Sequence, residues 1–143
     1  MEIAIRKCEL RDLSEIVLLN KKEMGYDYPV EDTKVQLARM LKDSNHRIYV
    51  ATVDDRVAGY VHANNYDLLY APPMKNIMGI AVSSDYRKIG IGKMLLNEVE
   101  KWARDTGAGV RLVSGATRTG AHAFYSACGY TCNKEQKNFS KRF

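Results

Sequence analysis

The sequence predicts an α/β protein of the α+β type, in which a mixed central sheet of about six to seven strands is flanked by about four helices. The predicted order is a strand, two helices, a hairpin, and then alternating strands and helices. Residues 77–82 form a continuous apolar run typical of a buried strand, and residues 91–105 place their apolar side chains on one helical face. With 143 residues, 45% of them hydrophobic and 27% charged, the chain is predicted to be one globular domain, residues 1–143.

The first half of the chain predicts one strand, two helices and a hairpin. Asp12 stands where it can cap the first helix, because apolar residues recur at helical spacing directly after it. The dipeptide Asp54–Asp55 separates two apolar runs and is a hairpin signal. Residues 64–75 contain Pro72 and Pro73 and are predicted to be irregular. The predicted spans are a strand at 3–6, helices at 13–22 and 31–41, and hairpin strands at 48–53 and 57–63.

The second half predicts strands and helices in alternation. The helix at 91–105 has the clearest pattern, since Leu95, Val99 and Trp102 share its apolar face and glycines follow its end. A strand at 110–113 and a short helix at 120–127 come next. One or two closing strands are predicted at 130–135 and 137–143.

Charge and cysteine content restrict the classes of ligand and compartment. The formal net charge of +5 suits a polyanionic ligand, although the basic residues are scattered rather than arranged in a stripe. There are three cysteines, an odd number, and they form no C-x-x-C pair: Cys8, Cys128 and Cys132. This pattern favours free thiols in a cytoplasmic protein, and we expect no bound metal. We expect no signal peptide and no membrane association, because no apolar run approaches the roughly 20 residues of a membrane span.

A basic, glycine-spaced turn between the strand at 77–82 and the helix that follows predicts a phosphate-binding loop. The first N–H groups of a helix lack carbonyl partners and attract anions, and glycine lets a ligand approach the backbone closely. The P-loop pattern fails here, because Arg87 replaces its first glycine and Met94 replaces its hydroxyl residue. The dinucleotide-binding pattern also fails, because Leu95 replaces its third glycine. The pattern R-x-x-G-x-G is matched completely, by Arg87, Gly90 and Gly92.

This pattern resembles the acetyl-CoA pyrophosphate loop of the GCN5-related N-acetyltransferases (GNATs). A second segment is similar to the other signature of that superfamily, an A-x-x-x-Y pair on a short helix that ends in a G-[FY] turn. Its matching residues are Ala121, Tyr125, Gly129 and Tyr130. The form S-G-x-x-R-x-x-A-H-x-F-Y, which begins at Ser114, resembles a bacterial subgroup. The resemblance covers nearly the whole chain and implies the GNAT fold.

The resemblance implies an enzyme that transfers an acetyl group from acetyl-CoA to a primary amine of a small molecule or a protein, and that is often a homodimer. The implied role of Tyr125 is to protonate the departing thiolate, because a phenol can donate a proton without being ionised at neutral pH. A backbone N–H near Ala81 or Val82 is expected to stabilise the oxyanion. The residues expected to bind the cofactor are Ile80, Ala81, Val82, Arg87, Lys88, Ile89, Gly90, Ile91, Gly92, Lys93, Arg118 and Phe124.

The acceptor site and the general base are less well defined by the sequence. Many relatives carry a glutamate on the strand before the phosphate loop, but the corresponding positions here are Met78 and Gly79. Aromatic and acidic residues in the segments expected to flank the acceptor cleft suit a cationic amine. The acceptor candidates are Tyr26, Asp27, Glu31 and Asp67, and the candidates for the base are Glu23, Asp27, Glu31, Asp32 and Asp67. A water chain to bulk solvent, or an acceptor amine of low pKa, would need no side-chain base.

Two other functions remain open at this point. A non-catalytic acyl-CoA-binding module can have the same fold, because a fold does not determine a function. A small basic protein can also use the Arg87 turn to bind nucleic-acid phosphates, but that function leaves the segment from Ala121 to Tyr130 without a purpose. We therefore expect no nucleic-acid partner. His46 and His62 are expected to be structural.

Overall fold

The computed structural model describes all residues, Met1–Phe143, and they form two compact units, Met1–Leu112 and Val113–Phe143. The prediction of a single domain stays a prediction. No helix is both long enough and apolar enough to span a lipid bilayer. The first unit contains β1 (Ile3–Lys7), α1 (Leu13–Met24), α2 (Val30–Leu41), β2 (His46–Val53), β3 (Arg56–Tyr66), β4 (Met74–Val82), α3 (Ile91–Asp105) and β5 (Gly109–Leu112), and the second contains α4 (Thr119–Ala127).

The five strands form one mixed sheet in the order β1-β2-β3-β4-β5. The first four strands are antiparallel to their neighbours, whereas β5 runs parallel to β4 because α3 carries the chain back across the sheet. The β2–β3 hairpin turns at Asp54 and Asp55, whose φ angles are 49° and 68°. Positive φ at both turn residues matches the right-handed twist of the flanking strands, so the predicted hairpin is confirmed.

Strand β4 is irregular at the point where it approaches the phosphate loop. His62 pairs with Gly79 but the next residue, Ala63, pairs with Ile77, so Met78 is an extra residue and forms a β-bulge. The parallel pairing of β4 with β5 covers only Met74 to Ile77. Residues 79–82 therefore pair with β3 on one side and, like Met78, have no β5 partner on the other.

Each face of this sheet packs against helices. The apolar stripe of α3 is buried against one face, and Lys75 and Arg47 of the sheet lie 4.1 Å and 4.8 Å from the centroid of the Trp102 ring. Burying a large apolar side chain contributes about 1.5–3 kcal/mol, so this stripe holds α3 firmly in place. The opposite face packs against α1 and α2, in a cluster that contains Ile16, Leu19, Leu37, Ile48, Val50, Tyr60 and Ala81.

Three predictions about the fold are wrong. The sheet has five strands rather than six to seven, because no strand forms at 130–135 or 137–143. Phe139 and Phe143 are almost completely exposed, so this segment has no buried face that would fix a strand register. Residues 64–66 and 74–75, predicted as irregular, belong to β3 and β4, which pair with each other there. The Asp12 side chain does not cap α1, because it accepts hydrogen bonds from Arg6 and from the Glu9 N–H.

Candidate active site

The predicted phosphate loop connects β4 to α3 and has an open backbone. Gly90 is the residue directly before α3 and has a φ of 90°, and Lys88 has a φ of 66°. No atom lies within 4 Å of the position that a Cβ would occupy at Gly90. A ligand can therefore approach the first N–H groups of α3 without meeting a side chain. Lys88 and Lys93 are exposed beside this opening and add positive charge.

Gly59 of β3 allows the elements that carry the loop to approach one another closely. A Cβ at Gly59 would lie 2.8 Å from the carbonyl oxygen of Ala81, 3.3 Å from the Cα of Val82 and 3.4 Å from the Cγ2 of Ile91. Only glycine fits this space without displacing the end of β4. The sequence analysis missed this residue, although a glycine inside a predicted strand is a signal of close backbone approach.

Glu23, at the end of α1, fixes the start of the loop. Its carboxylate accepts a hydrogen bond from the Ser84 N–H at 2.9 Å and another from Arg87 Nη2 at 3.1 Å. Its side chain is 7% exposed, whereas that of Arg87 is 59% exposed. The hydrogen bond from the Ser84 backbone is the main reason that the pKa of Glu23 lies below its usual value. Glu23 is therefore placed to position the loop, and it is poorly suited to the role of general base considered for it.

The unpaired edge of β4 provides backbone groups beside the bulge. Ala81 is buried, and Ile80 and Val82 are partly buried, so their side chains fix this part of the strand in place. Its backbone edge has no β5 partner. The whole of β4 contains no aspartate or glutamate. A carboxylate base on this strand is therefore excluded.

The second unit carries the predicted acid Tyr125 on α4. Its ring packs against Phe124 and Tyr130, with ring centroids 5.4 Å and 6.2 Å apart. Burial raises the pKa of Tyr125, and the nearby Arg118 acts in the opposite direction. The phenol is consequently protonated at neutral pH and available as a donor. His122 Nε2 lies 2.8 Å from the Gly115 carbonyl oxygen. This contact ties α4 to the segment that precedes it.

The expected acceptor residues lie on exposed segments. Tyr26 and Asp27 are in the turn after α1, where Asp27 Oδ1 is 3.9 Å from Lys21 Nζ. Glu31 is in the first turn of α2, and Asp67 follows β3. All four are exposed, and no hydrogen bond or ion pair joins any two of them.

A row of polar side chains crosses the sheet on the face opposite α3, and the sequence analysis did not predict it. The strand register aligns His46 with Asn64, Asn64 with Asn76, and Asn76 with Arg111. Asn76 Nδ2 donates to Asn64 Oδ1 at 3.3 Å, and Arg111 Nη1 donates to Asn76 Oδ1 at 2.5 Å. We call these four residues the polar row. The sequence gives little indication of the polar row, because its four residues become neighbours only through the register of four strands.

Two histidines expected to be structural lie at this row. His46 Nδ1 and His62 Nε2 are 2.9 Å apart, and His62 is paired in register with Gly79 at the bulge. Burial, with a smaller effect of His46, lowers the pKa of His62 to about 4. His62 is therefore neutral at physiological pH and places a polar ring beside the bulge.

Comparison with known proteins identifies relatives. An N-alpha-acetyltransferase of Sulfolobus acidocaldarius is 30% identical over 109 residues, which cover 71% of this chain and 62% of that protein. One of Sulfurisphaera tokodaii is 29% identical over 102 residues, which cover 66% of this chain and 59% of that protein. The chain thus spans about three fifths of the length of these relatives. The expected bacterial subgroup stays a prediction.

Solved structures and a family model agree on the fold. The structure of AAC(6')-Iy in complex with the bisubstrate analogue CoA-S-monomethyl-acetylneamine has a TM-score of 0.88 and 19% identity, with complete coverage of both chains. The model of the acetyltransferase (GNAT) family matches residues 11–130. The chain has the GNAT fold and belongs to the acetyltransferase (GNAT) family.

Proposed function

We propose that this protein is an acetyl-CoA-dependent N-acetyltransferase that acts on a primary amine of a small molecule or a protein. One observation carries the proposal: the edge of β4 that β5 leaves unpaired, residues 78–82, is followed by the loop at 83–89 and the open turn at Gly90. An edge strand can pair with an extended ligand, and a glycine turn at a helix N-terminus can hold its phosphates. The two features together fit the elongated, phosphate-bearing shape of acetyl-CoA.

The proposed cofactor site extends along β4 and the phosphate loop. The backbone of Ile80, Ala81 and Val82 pairs with the pantetheine arm, and an N–H near Ala81 or Val82 stabilises the oxyanion, which is typically worth a few kcal/mol. The backbone amides from Arg87 to Lys93 hold the pyrophosphate. Arg118 and Phe124 complete the proposed cofactor contacts.

The proposed reaction makes one amide bond and breaks one thioester bond. Bound acetyl-CoA supplies the acetyl group as a thioester. The neutral amine nitrogen forms the amide bond while the C–S bond breaks, and one amine proton passes to solvent. The thiolate takes one proton from Tyr125, and the phenolate then regains a proton from solvent. The raised pKa of Tyr125 supports this role, because the phenol keeps its proton until the thiolate leaves.

We propose solvent water as the acceptor of the amine proton. The absence of acidic residues from β4 and the engagement of Glu23 by the phosphate loop support this route. Tyr26, Asp27, Glu31 and Asp67 are proposed to attract the ammonium form of the acceptor, since exposed carboxylates and aromatic rings favour cations.

The test is thiol release from acetyl-CoA in the presence of a panel of primary amines. We expect Tyr125→Phe to lower kcat by about 10²–10⁴-fold, the usual contribution of a positioned acid, while acetyl-CoA affinity stays unchanged. Tyr130→Phe, which removes the hydroxyl of a neighbouring ring, is the matched control. Tight acetyl-CoA binding without turnover of any amine would instead favour a non-catalytic acyl-CoA-binding module.

The protein is also proposed to be a homodimer. Phe139 and Phe143 are exposed apolar residues that a partner subunit can cover. Light scattering of the wild-type protein and of Phe139→Ser measures the mass, and a monomeric wild-type protein would refute the proposal.

A further inference from the structure

The polar row places one positive charge on the face of the sheet opposite α3. Arg111 donates to Asn76 Oδ1, and its guanidinium carbon lies 4.2 Å from the centroid of the Tyr66 ring. Both partners are neutral, and no carboxylate lies within 4 Å of Arg111. Asn76 and Tyr66 therefore fix the direction of the guanidinium without neutralising it.

The strands around Arg111 offer no acidic partner, and Asp67, which follows Tyr66, forms no ion pair with it. Strands β2, β3, β4 and β5 contain no aspartate or glutamate. The acid nearest to the other end of the row is Asp43, whose Oδ2 is 3.8 Å from His46 Nε2. By contrast, the partly buried Arg6 is bound by both carboxylate oxygens of Asp12.

The row also lies beside the bulge of β4, the strand whose residues 80–82 are proposed to bind acetyl-CoA. Asn76 Nδ2 is 2.9 Å from the sulfur of Met78, the bulged residue. Ala81, near which the thioester oxygen is proposed to bind, is five residues beyond Asn76. One of the five is the bulged Met78, so the separation is about 13 Å along the strand. Allowing about 3 Å for each contact leaves about 7 Å between an acceptor amine at the thioester and an anionic group on Arg111.

We propose that Arg111 binds a carboxylate of the acceptor, and that the acceptor is a small amino acid with its amine several bonds from that carboxylate. This inference rests on the proposed function and names the substrate class of the same site. A guanidinium with a fixed direction can bind a carboxylate through two parallel hydrogen bonds, which gives both affinity and orientation. The carboxylate supplies the negative charge that the strands lack.

Stacking on an aromatic ring does not by itself indicate a ligand site. Arg47 also lies over a ring, that of Trp102, and also has no carboxylate partner within 4 Å. Arg47 is on the face covered by α3, however, whereas Arg111 is on the face that carries the polar row. Arg47 is therefore a matched control for charge, stacking and partial burial.

The experiment compares amino acids with the amines that lack only the carboxylate. Glycine is paired with methylamine, β-alanine with ethylamine, and γ-aminobutyrate with propylamine, and thiol release gives kcat/KM for each. We expect the wild-type protein to prefer the carboxylate-bearing member of at least one pair by about 10- to 100-fold. Arg111→Gln should abolish this ratio and keep the activity on the simple amine, Arg111→Lys should retain part of it, and Arg47→Gln should leave it unchanged.

The ratio of kcat/KM for the two members of a pair is measured with the same variant. A partial loss of folded protein lowers both values equally, so it does not change the ratio. A wild-type preference for the simple amines, or an unchanged ratio in Arg111→Gln, would overturn the inference and leave the proposed function in place. Failure of the wild-type protein to bind acetyl-CoA or to release thiol with any amine would overturn both.

Discussion

Replacement of Gly59 by alanine tests whether close backbone contact supports the phosphate loop. The new Cβ would lie 2.8 Å from the Ala81 carbonyl oxygen and 3.3 Å from the Val82 Cα, so backbone atoms must move. Overpacking of this kind costs about 1–3 kcal/mol. For a chain of this size, that corresponds to a fall in Tm of roughly 3–10 °C. The displaced atoms belong to the end of β4, so we also expect weaker binding of acetyl-CoA.

Gly79→Ala is the matched control, because the only neighbour of its Cβ would be the Tyr60 hydroxyl at 3.7 Å, an ordinary contact. Thermal unfolding followed by circular dichroism measures both variants, and calorimetric titration measures their affinity for acetyl-CoA. We expect the Tm of Gly79→Ala to stay close to that of the wild-type protein. An equal Tm for Gly59→Ala and the wild-type protein would show that the strands adjust freely, and would refute the reasoning.

Two further predictions concern titrating groups. Glu23→Gln should lower the free energy of unfolding by about 1 kcal/mol at pH 7, because the charged hydrogen bonds are lost. Since folding lowers the pKa of Glu23, urea unfolding should show this difference shrinking below the usual value of 4.5 as the wild-type carboxyl is protonated. The pKa of His62 is about 4 in the folded protein, below its ordinary value of 6.5, so protonation of this side chain favours the unfolded state. The free energy of unfolding of the wild-type protein should therefore be unaffected by His62 above pH 6.5 and should fall as the pH decreases toward 4. At pH 5 this loss should reach up to about 2 kcal/mol, and His62→Gln should lack it. Identical pH profiles for His62→Gln and the wild-type protein would contradict the assignment.

The elements predicted most accurately are those with a strong local signal. Helix α3 has the predicted bounds, because its apolar stripe and the glycine before it define both its buried face and its start. The hairpin at Asp54 and Asp55 also follows from local sequence. Residues 64–66 and 74–75 are mostly polar and were predicted to be irregular, but their pairing between β3 and β4 satisfies their backbone groups and extends both strands. Tertiary pairing of this kind has no signal in either segment alone.

The same distinction between local and distant contacts applies to the candidate site. The loop from Arg87 to Lys93 lies within a few residues, so its motif is visible in the sequence. Glu23 reaches Ser84 across 61 positions of sequence, and the polar row requires the register of four strands. These contacts depend on which elements become neighbours in space. The assigned roles of the site residues stay predictions.

The central claim, that the turn at Gly90 binds the pyrophosphate of acetyl-CoA, is tested most directly by calorimetric titration. Gly90 and Gly107 both have positive φ and open surroundings, and they lie at opposite ends of α3. The wild-type protein and Gly107→Asp should bind acetyl-CoA with similar affinity, whereas Gly90→Asp should not bind it. Equal affinity of Gly90→Asp and Gly107→Asp, or no binding by the folded wild-type protein, would contradict the account.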